Sequence, residues 1–336
     1  MLGKVEREKL FVENGSILLE KLIACGSSRS IPIRSFSIKE LLKATNNFDP
    51  HLLFHKDGFF QWYNGSFEDR FISVKKYYTK REFKEAHREF SKGIPDLPFT
   101  DMAICAKMCA HKNVLKLIGC CLETPSPVLV YESDENRTLS DRILASNPQD
   151  RPMPWTSRLK VAREIAHAIA YLHTAFSRPI VHGNIKPGNI FFDQRDIPKL
   201  SDFSMCIEIP EGEIEVIDLV GSRCITCPYY IGAGIVTEKT DVHSFGYLLL
   251  EIVAGKSLRD LCRGTGYFTN WQDYTRTNIV KNVESAIQAG EVEAGLKQQL
   301  QASMELSRIC RDENPESRPT MVDVTKELRR IERSIP

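Results

Sequence analysis

Residues 182–193 read HGNIKPGNIFFD. Lys186 supplies a cation and Asn189 an oxygen that can ligate a metal ion. His182 suits a bracing role more than a chemical one. Between His182 and Lys186 the stretch offers no proton acceptor. Asn184 stands between the histidine and the lysine, and a carboxamide cannot take a proton at any accessible pH. The segment therefore poses a choice: an enzyme that works without its base, or a fold put to another use.

Composition narrows the setting. The chain has 336 residues, 42% hydrophobic and 26% charged, enough for one large domain or two lobes. Forty-five Lys and Arg against 44 Asp and Glu leave a net charge of +1, so no global positive field points to nucleic acid. The N-terminus, MLGKVEREK, lacks the apolar core of a signal peptide, and glycine falls at position 3 rather than 2, outside the myristoylation pattern. The longest apolar run, YLLLEIVAG at 247–255, contains Glu251 and is too short to span a bilayer. A cytoplasmic protein is expected, held at the plasma membrane only through partners. Ten scattered cysteines then read as small reduced hydrophobes, and Cys224–Cys227 has no second pair to complete a zinc site.

Periodicity places the elements. Residues 5–24 carry Leu10, Ile17, Leu18 and Leu22 near helical spacing, with Gly15 as a weak point; 25–35 reads as a linker. This helix is expected to pack on the main domain, with a partner-binding arm as the sharper reading. FSIKELLKATNNF (36–48) is a short helix that Ser37 can cap and Asn46–Asn47 can end. Segments 59–67 and 71–78 predict one hairpin, and 114–122 with 127–132 another. Helical patterns follow at 155–176, at 241–256 and from about 279 onward. Strands first and helices later predict an α+β protein with a small β-rich N-lobe and a larger helical C-lobe. The boundaries expected are 1–34 for the N-terminal extension, 35–131 for the N-lobe and 132–336 for the C-lobe.

The ordered motifs resemble those of protein kinases over about residues 36–330. Phrases such as FSIKELLKATNNF, HKNVLKLIGCCLE and DVHSFGYLLLEIVAGK resemble the plant receptor-like type. IPIRSFS, PVLV and AYLHTAF are similar to the ZRK pseudokinase group of receptor-like cytoplasmic kinases. Against that template the losses are spread out. HKDGFFQWYNG (55–65) takes the glycine loop's place, with His55, Asp57 and Phe60 at its three glycines; it reads as an ordinary hairpin tip. Lys75 falls at the strand lysine that pairs with the phosphates. Its helix glutamate falls on Met102, with Asp101 some 100° around the helix and Glu82, Glu85 and Glu89 as substitutes in another register. Gly183 and Asn184 replace the arginine and catalytic aspartate of H-R-D. Asp202-Phe203-Ser204 replaces D-F-G, so Ser204 loses glycine's backbone freedom. Glu208, Glu211, Glu213, Glu215 and Asp218 make the activation segment acidic, most simply a solvated loop. The segment's closing glutamate is missing at Pro228-Tyr229-Tyr230, which leaves Arg318 in need of another partner if buried; Tyr229 is one candidate. Asp241 is expected to anchor the catalytic-loop backbone.

The resemblance implies a vestigial nucleotide site of Lys75, Lys186, Asn189 and Asp202, with Asn189 and Asp202 as ligands if Mg²⁺ binds and no cofactor required. It also implies an adaptor in plant innate immunity. The partners would be an intracellular leucine-rich-repeat immune receptor, receptor-like cytoplasmic kinases and a pathogen effector that modifies them. A slow atypical Ser/Thr kinase, or nucleotide binding without turnover, stays open as the alternative. Thr124, Ser126, Ser222 and Thr226 are hydroxyls that a modifying enzyme could reach, or plain turn residues.

Overall fold

The computed structural model describes residues 2–24, 33–79, 81–82, 96–133, 135–143, 153–217, 234–255 and 294–334. The chain divides into two compact units. The first comprises Met1–Asn136 and Phe191–Cys206, the second Arg137–Ile190 and Ile207–Pro336. One is built on a sheet and the other on helices, the α+β division that the order of patterns predicts.

The first unit holds a six-stranded sheet in the order β1-β5-β6-β4-β3-β2. Its strands are β1 (Arg34–Ser35), β2 (Leu53–Lys56), β3 (Phe60–Phe67), β4 (Arg70–Tyr77), β5 (Leu117–Cys121) and β6 (Val128–Glu132). Between β3 and β4 the turn is two residues, Glu68 and Asp69, at φ 50° and 58°. Two successive positive φ values match the right-handed twist of a tight hairpin. Both predicted hairpins are present.

Register then sorts the side chains, because successive residues of a strand face opposite ways. Phe60 lies across from Tyr77, Trp62 from Lys75, and Ser73 from Tyr131. Phe60, Trp62, Lys75, Tyr77 and Tyr131 therefore share one face. The other face carries Tyr63, Ile72, Val74, Val128 and Val130, packed with Phe36 and Leu41. Helix α2 (Ile38–Ala44) covers it. The Ser37 hydroxyl accepts from Glu40 N at 3.3 Å while Glu40 accepts from Ser37 N at 2.7 Å, a reciprocal cap that starts α2 where the sequence says it should. Asn46, Asn47 and Phe48, all at positive φ, end the turn.

Helix α3 (Leu97–Met108) packs on the first face, and α1 (Lys4–Ala24) lies along α3. The Asn14 amide nitrogen of α1 donates to Leu122 O at 2.8 Å and to Thr124 O at 3.0 Å. The N-terminal helix thus packs on the domain and runs unbroken through Gly15. Most of the linker, residues 25–32, lies outside the described residues.

In the second unit α4 (Trp155–Thr174) packs against α5 (Glu238–Ala254) and α7 (Met321–Glu332), and α6 (Ala294–Cys310) against α5. Gly246 permits the last contact: a Cβ there would lie 2.6 Å from Arg311 Cγ. Two short antiparallel pairs complete the unit, β7 (Ile180–Val181) with β8 (Ile207–Glu208), and β9 (Val216–Ile217) with β10 (Ile235–Val236). Residues 279–293 of the last predicted helical stretch lie outside the described residues.

His243 of α5 is buried, and burial, with Arg318 and Arg311 nearby, pushes its pKa down to about 3 from 6.5. Between those values the unfolded chain binds a proton that the folded chain refuses, so stability falls as pH drops below 6.5. The expected loss from this residue is about 1.4 kcal/mol per pH unit once the unfolded histidine is fully charged. Urea denaturation at pH 7.0 and 5.0 of the protein and of His243→Gln checks it; equal pH dependence in both would rule His243 out.

Candidate functional site

At the centre of the first unit Lys75 is fully buried. Its ammonium donates to Asp101 Oδ2 at 2.7 Å and to Asp202 Oδ1 at 2.6 Å. Asp101 also accepts from the Tyr77 hydroxyl at 2.6 Å and, through Oδ1, from Phe203 N at 3.0 Å. Burial by itself would push the Lys75 pKa down, but the two carboxylates overcome it and leave the value raised. Burial pushes the Tyr77 hydroxyl well up, and both carboxylates add to that. At neutral pH Lys75 is therefore a cation and Tyr77 a neutral phenol.

The lysine's acidic partner is therefore Asp101, not Met102. Met102 is fully buried, and the ion pair that the sequence left in question is formed. The register count fails for a physical reason: α3 is buried nearly all round, from Leu97 through Met108, so no polar stripe marks which side meets the sheet. Glu82 instead faces Lys76 at 3.8 Å and accepts from Thr79 N at 2.7 Å, while Glu85 and Glu89 lie outside the described residues.

Aromatic rings close the rest of the site. The Lys75 ammonium sits 4.0 Å from the Phe60 ring centroid, 4.8 Å from Tyr77 and 5.5 Å from Trp62. Each contact favours the cation. Strands β2 and β3 form the expected hairpin, with Asp57 N donating to Phe60 O at 3.0 Å. Its glycine replacement points inward, though: Phe60 is fully buried and edge-on to Tyr77 at 5.7 Å. Asp202 stands at φ 63° and its Oδ1 also accepts from the Ser204 hydroxyl at 2.7 Å. Ser204 thus does more than stiffen the turn; it occupies the carboxylate oxygen that Lys75 also uses.

Arranged this way, Lys75 lies between two carboxylates under a phenylalanine, and Asp202 Oδ1 accepts from both Lys75 and Ser204. Among the described residues no three His, Cys, Asp or Glu side chains gather as a metal site. Cys224 and Cys227 lie outside the described residues.

The quoted loop belongs to the second unit. Asp241, fully buried, accepts from His182 N at 2.7 Å and Gly183 N at 2.9 Å, and meets His173 Nε2 at 2.9 Å. It is the backbone anchor the sequence suggests. Gly183 takes φ 74°, a conformation that an arginine would adopt only at a cost. His182 Nδ1 accepts from Asn184 N at 3.2 Å, the bracing role expected of it. The Asn189 amide donates to Asn184 O at 2.8 Å. Lys186 precedes the short turn Pro187–Asn189 and is half-buried. Arg318, 2% exposed, donates to the carbonyls of Asp312 at 2.7 Å, Lys239 at 3.0 Å and Glu313 at 3.4 Å. Backbone oxygens are acceptors for this buried cation; Tyr229 lies outside the described residues. Glu211, Glu213 and Glu215 are exposed, as a solvated run should be.

A lysine–carboxylate pair on a five-strand antiparallel core, a D-F-S turn and an H-G-N loop anchored by a helix aspartate define a kinase-type protein. Residues 83–328 match the model of protein tyrosine and serine/threonine kinases, and the chain belongs to that family. Within it the chain is similar to the ZRK proteins of Arabidopsis thaliana. It is 37% identical to the serine/threonine-protein kinase ZRK1, over 99% of this chain and 95% of that protein. It is 36% identical to the non-functional pseudokinase ZRK2 (98% and 91%) and 37% to the non-functional pseudokinase ZED1 (96% and 96%). At that distance the chain is a relative of ZED1 and not ZED1 itself. Its relatives thus include proteins named as kinases and proteins named as non-functional pseudokinases.

Proposed function

We propose that the chain is a catalytically inactive kinase-fold adaptor in plant innate immunity. It would link an intracellular leucine-rich-repeat immune receptor to receptor-like cytoplasmic kinases that pathogen effectors modify. One observation carries the inactive half of this reading: Asn184 stands at the base position while Lys75 is sealed among Asp101, Asp202 and Phe60. Removing a general base typically costs on the order of 10²–10⁴ in rate. The names of ZRK2 and ZED1 support it.

The adaptor half is supported by where apolar surface is left exposed. Val5, Val12, Leu19 and Ile23 stand out from α1, and Ile214 and Ile217 sit among the exposed glutamates of the activation segment. Contiguous exposed apolar groups mark interaction surfaces more often than chance. No described helix is long and apolar enough to cross a membrane, which is compatible with a cytoplasmic protein recruited by partners.

The slow-kinase reading draws on the formed Lys75–Asp101 pair and on the name of ZRK1. Phosphoryl transfer by purified protein, with Mg²⁺ or Mn²⁺ and an active plant cytoplasmic kinase alongside, separates the two. Asp202→Asn, checked for folding by circular dichroism, is the negative control. No incorporation is expected, and Asn184→Asp is expected to restore none. Incorporation that disappears in Asp202→Asn would overturn the inactive reading. Co-purification with the leucine-rich-repeat region of an intracellular plant immune receptor tests the adaptor; failure to bind any such receptor of the same plant would sink it.

A further inference from the structure

We propose that this chain carries its own occupant of the nucleotide site: Trp62 and Phe60 fill the base and phosphate positions beside Lys75 and hold the Lys75–Asp101–Asp202 cluster closed without a ligand. The inference goes beyond the adaptor reading and does not require it.

The placement follows from register and ring contacts. In a kinase the strand lysine pairs with the phosphates under the glycine loop. Phosphates at Lys75 would have to sit where the Phe60 ring lies, 4.0 Å from the ammonium. A base attached to them would lie along the same sheet face. That face is taken by Trp62, cross-strand partner of Lys75 and 1% exposed. Its indole packs on Tyr131 at 5.0 Å and Phe191 at 5.1 Å, with Phe54 behind at 6.2 Å.

Charge at Lys75 is also met from within the chain. Polyphosphate would bring negative charge to Lys75 and call for a metal at Asp202. Here Asp101 and Asp202 neutralise Lys75 directly, and the ring faces of Phe60 and Tyr77 supply the remaining electron-rich contacts. The occupant is covalently part of the chain, so it costs no association entropy and cannot leave.

Thermal unfolding with added nucleotide tests this on the intact protein. Wild type is expected to show a Tm shift under ~1 °C with millimolar ATP or ADP and Mg²⁺, because only a ligand bound to the folded state raises Tm. Amide exchange across residues 53–77 and 97–108 should also stay unchanged by nucleotide. A Tm rise of about 2–4 °C, or protection gained in those segments, would overturn the proposal. The second arm opens the site with Phe60→Gly plus Trp62→Val. That protein should melt on the order of 10 °C lower and should now gain about 2–4 °C with Mg-nucleotide. A cooperatively folded double variant that still ignores nucleotide would show that the rings are not what excludes it. Should the double variant not fold, the wild-type measurements and Phe60→Ala alone decide by the same criteria. Nucleotide binding by wild type without phosphoryl transfer would defeat this proposal and leave the adaptor reading intact; phosphoryl transfer would defeat the adaptor reading.

Discussion

Asp101→Ala should destabilise the protein by about 3–5 kcal/mol, the usual cost of breaking a buried ion pair from one side. The carboxylate accepts from Lys75, Tyr77 and Phe203 N, all buried, so its loss strands two donors and leaves the cation with Asp202 alone. Charge is the larger part of the effect. Asp101→Asn keeps an acceptor oxygen but not the anion, and should recover little of the loss. Guanidinium denaturation followed by circular dichroism reads the midpoint directly; a change below about 1 kcal/mol would mean that water reaches the cluster and screens it. Lys75→Ala should be comparably damaging, because it leaves Asp101 and Asp202 facing each other in the core. That variant is often chosen to test nucleotide dependence. Here any loss of partner binding would first have to be separated from loss of folding.

Asp241→Ala carries the second large effect. Its carboxylate, fully buried, holds two backbone amides of the H-G-N loop and the ring nitrogen of His173. Each orphaned buried donor costs about 1–3 kcal/mol, so a total of at least about 3 kcal/mol is expected. The damage should be local before it is global. Amides of residues 180–190 should exchange faster than those of α4, whose own hydrogen bonds are untouched. Equal acceleration in both would place Asp241 in the general stability of the unit and not in the loop. The loop keeps its anchor although Asn184 stands where the family resemblance expects an aspartate.

The two effects also show how far a linear reading reaches. The anchor was legible because Asp241 lies in DVHSFG, a phrase whose family role is structural and whose helix starts where Thr237 caps it. The residue types at Phe60, Asn184 and Ser204 are read in the same way, from the places the resemblance assigns them. The identity of the lysine's partner was not. A one-residue choice between Asp101 and Met102 needs the face of α3, and a helix buried on every side carries no polar stripe from which to read it.

By itself, then, the sequence determined the division into a strand-rich and a helix-rich part, both hairpins, the Ser37 cap, and the absence of a base at position 184. These depend on local periods of 2 and 3.6 residues and on side-chain chemistry that no neighbour can alter. Only the tertiary structure decided that Asp101 closes on Lys75, that backbone carbonyls accept from Arg318, and that Phe60 and Trp62 turn inward. Those outcomes depend on pairings such as Trp62 with Lys75 and Lys75 with Asp202, 127 residues apart. Distant partners choose one another by register and burial, and neither is written in the spacing of nearby residues.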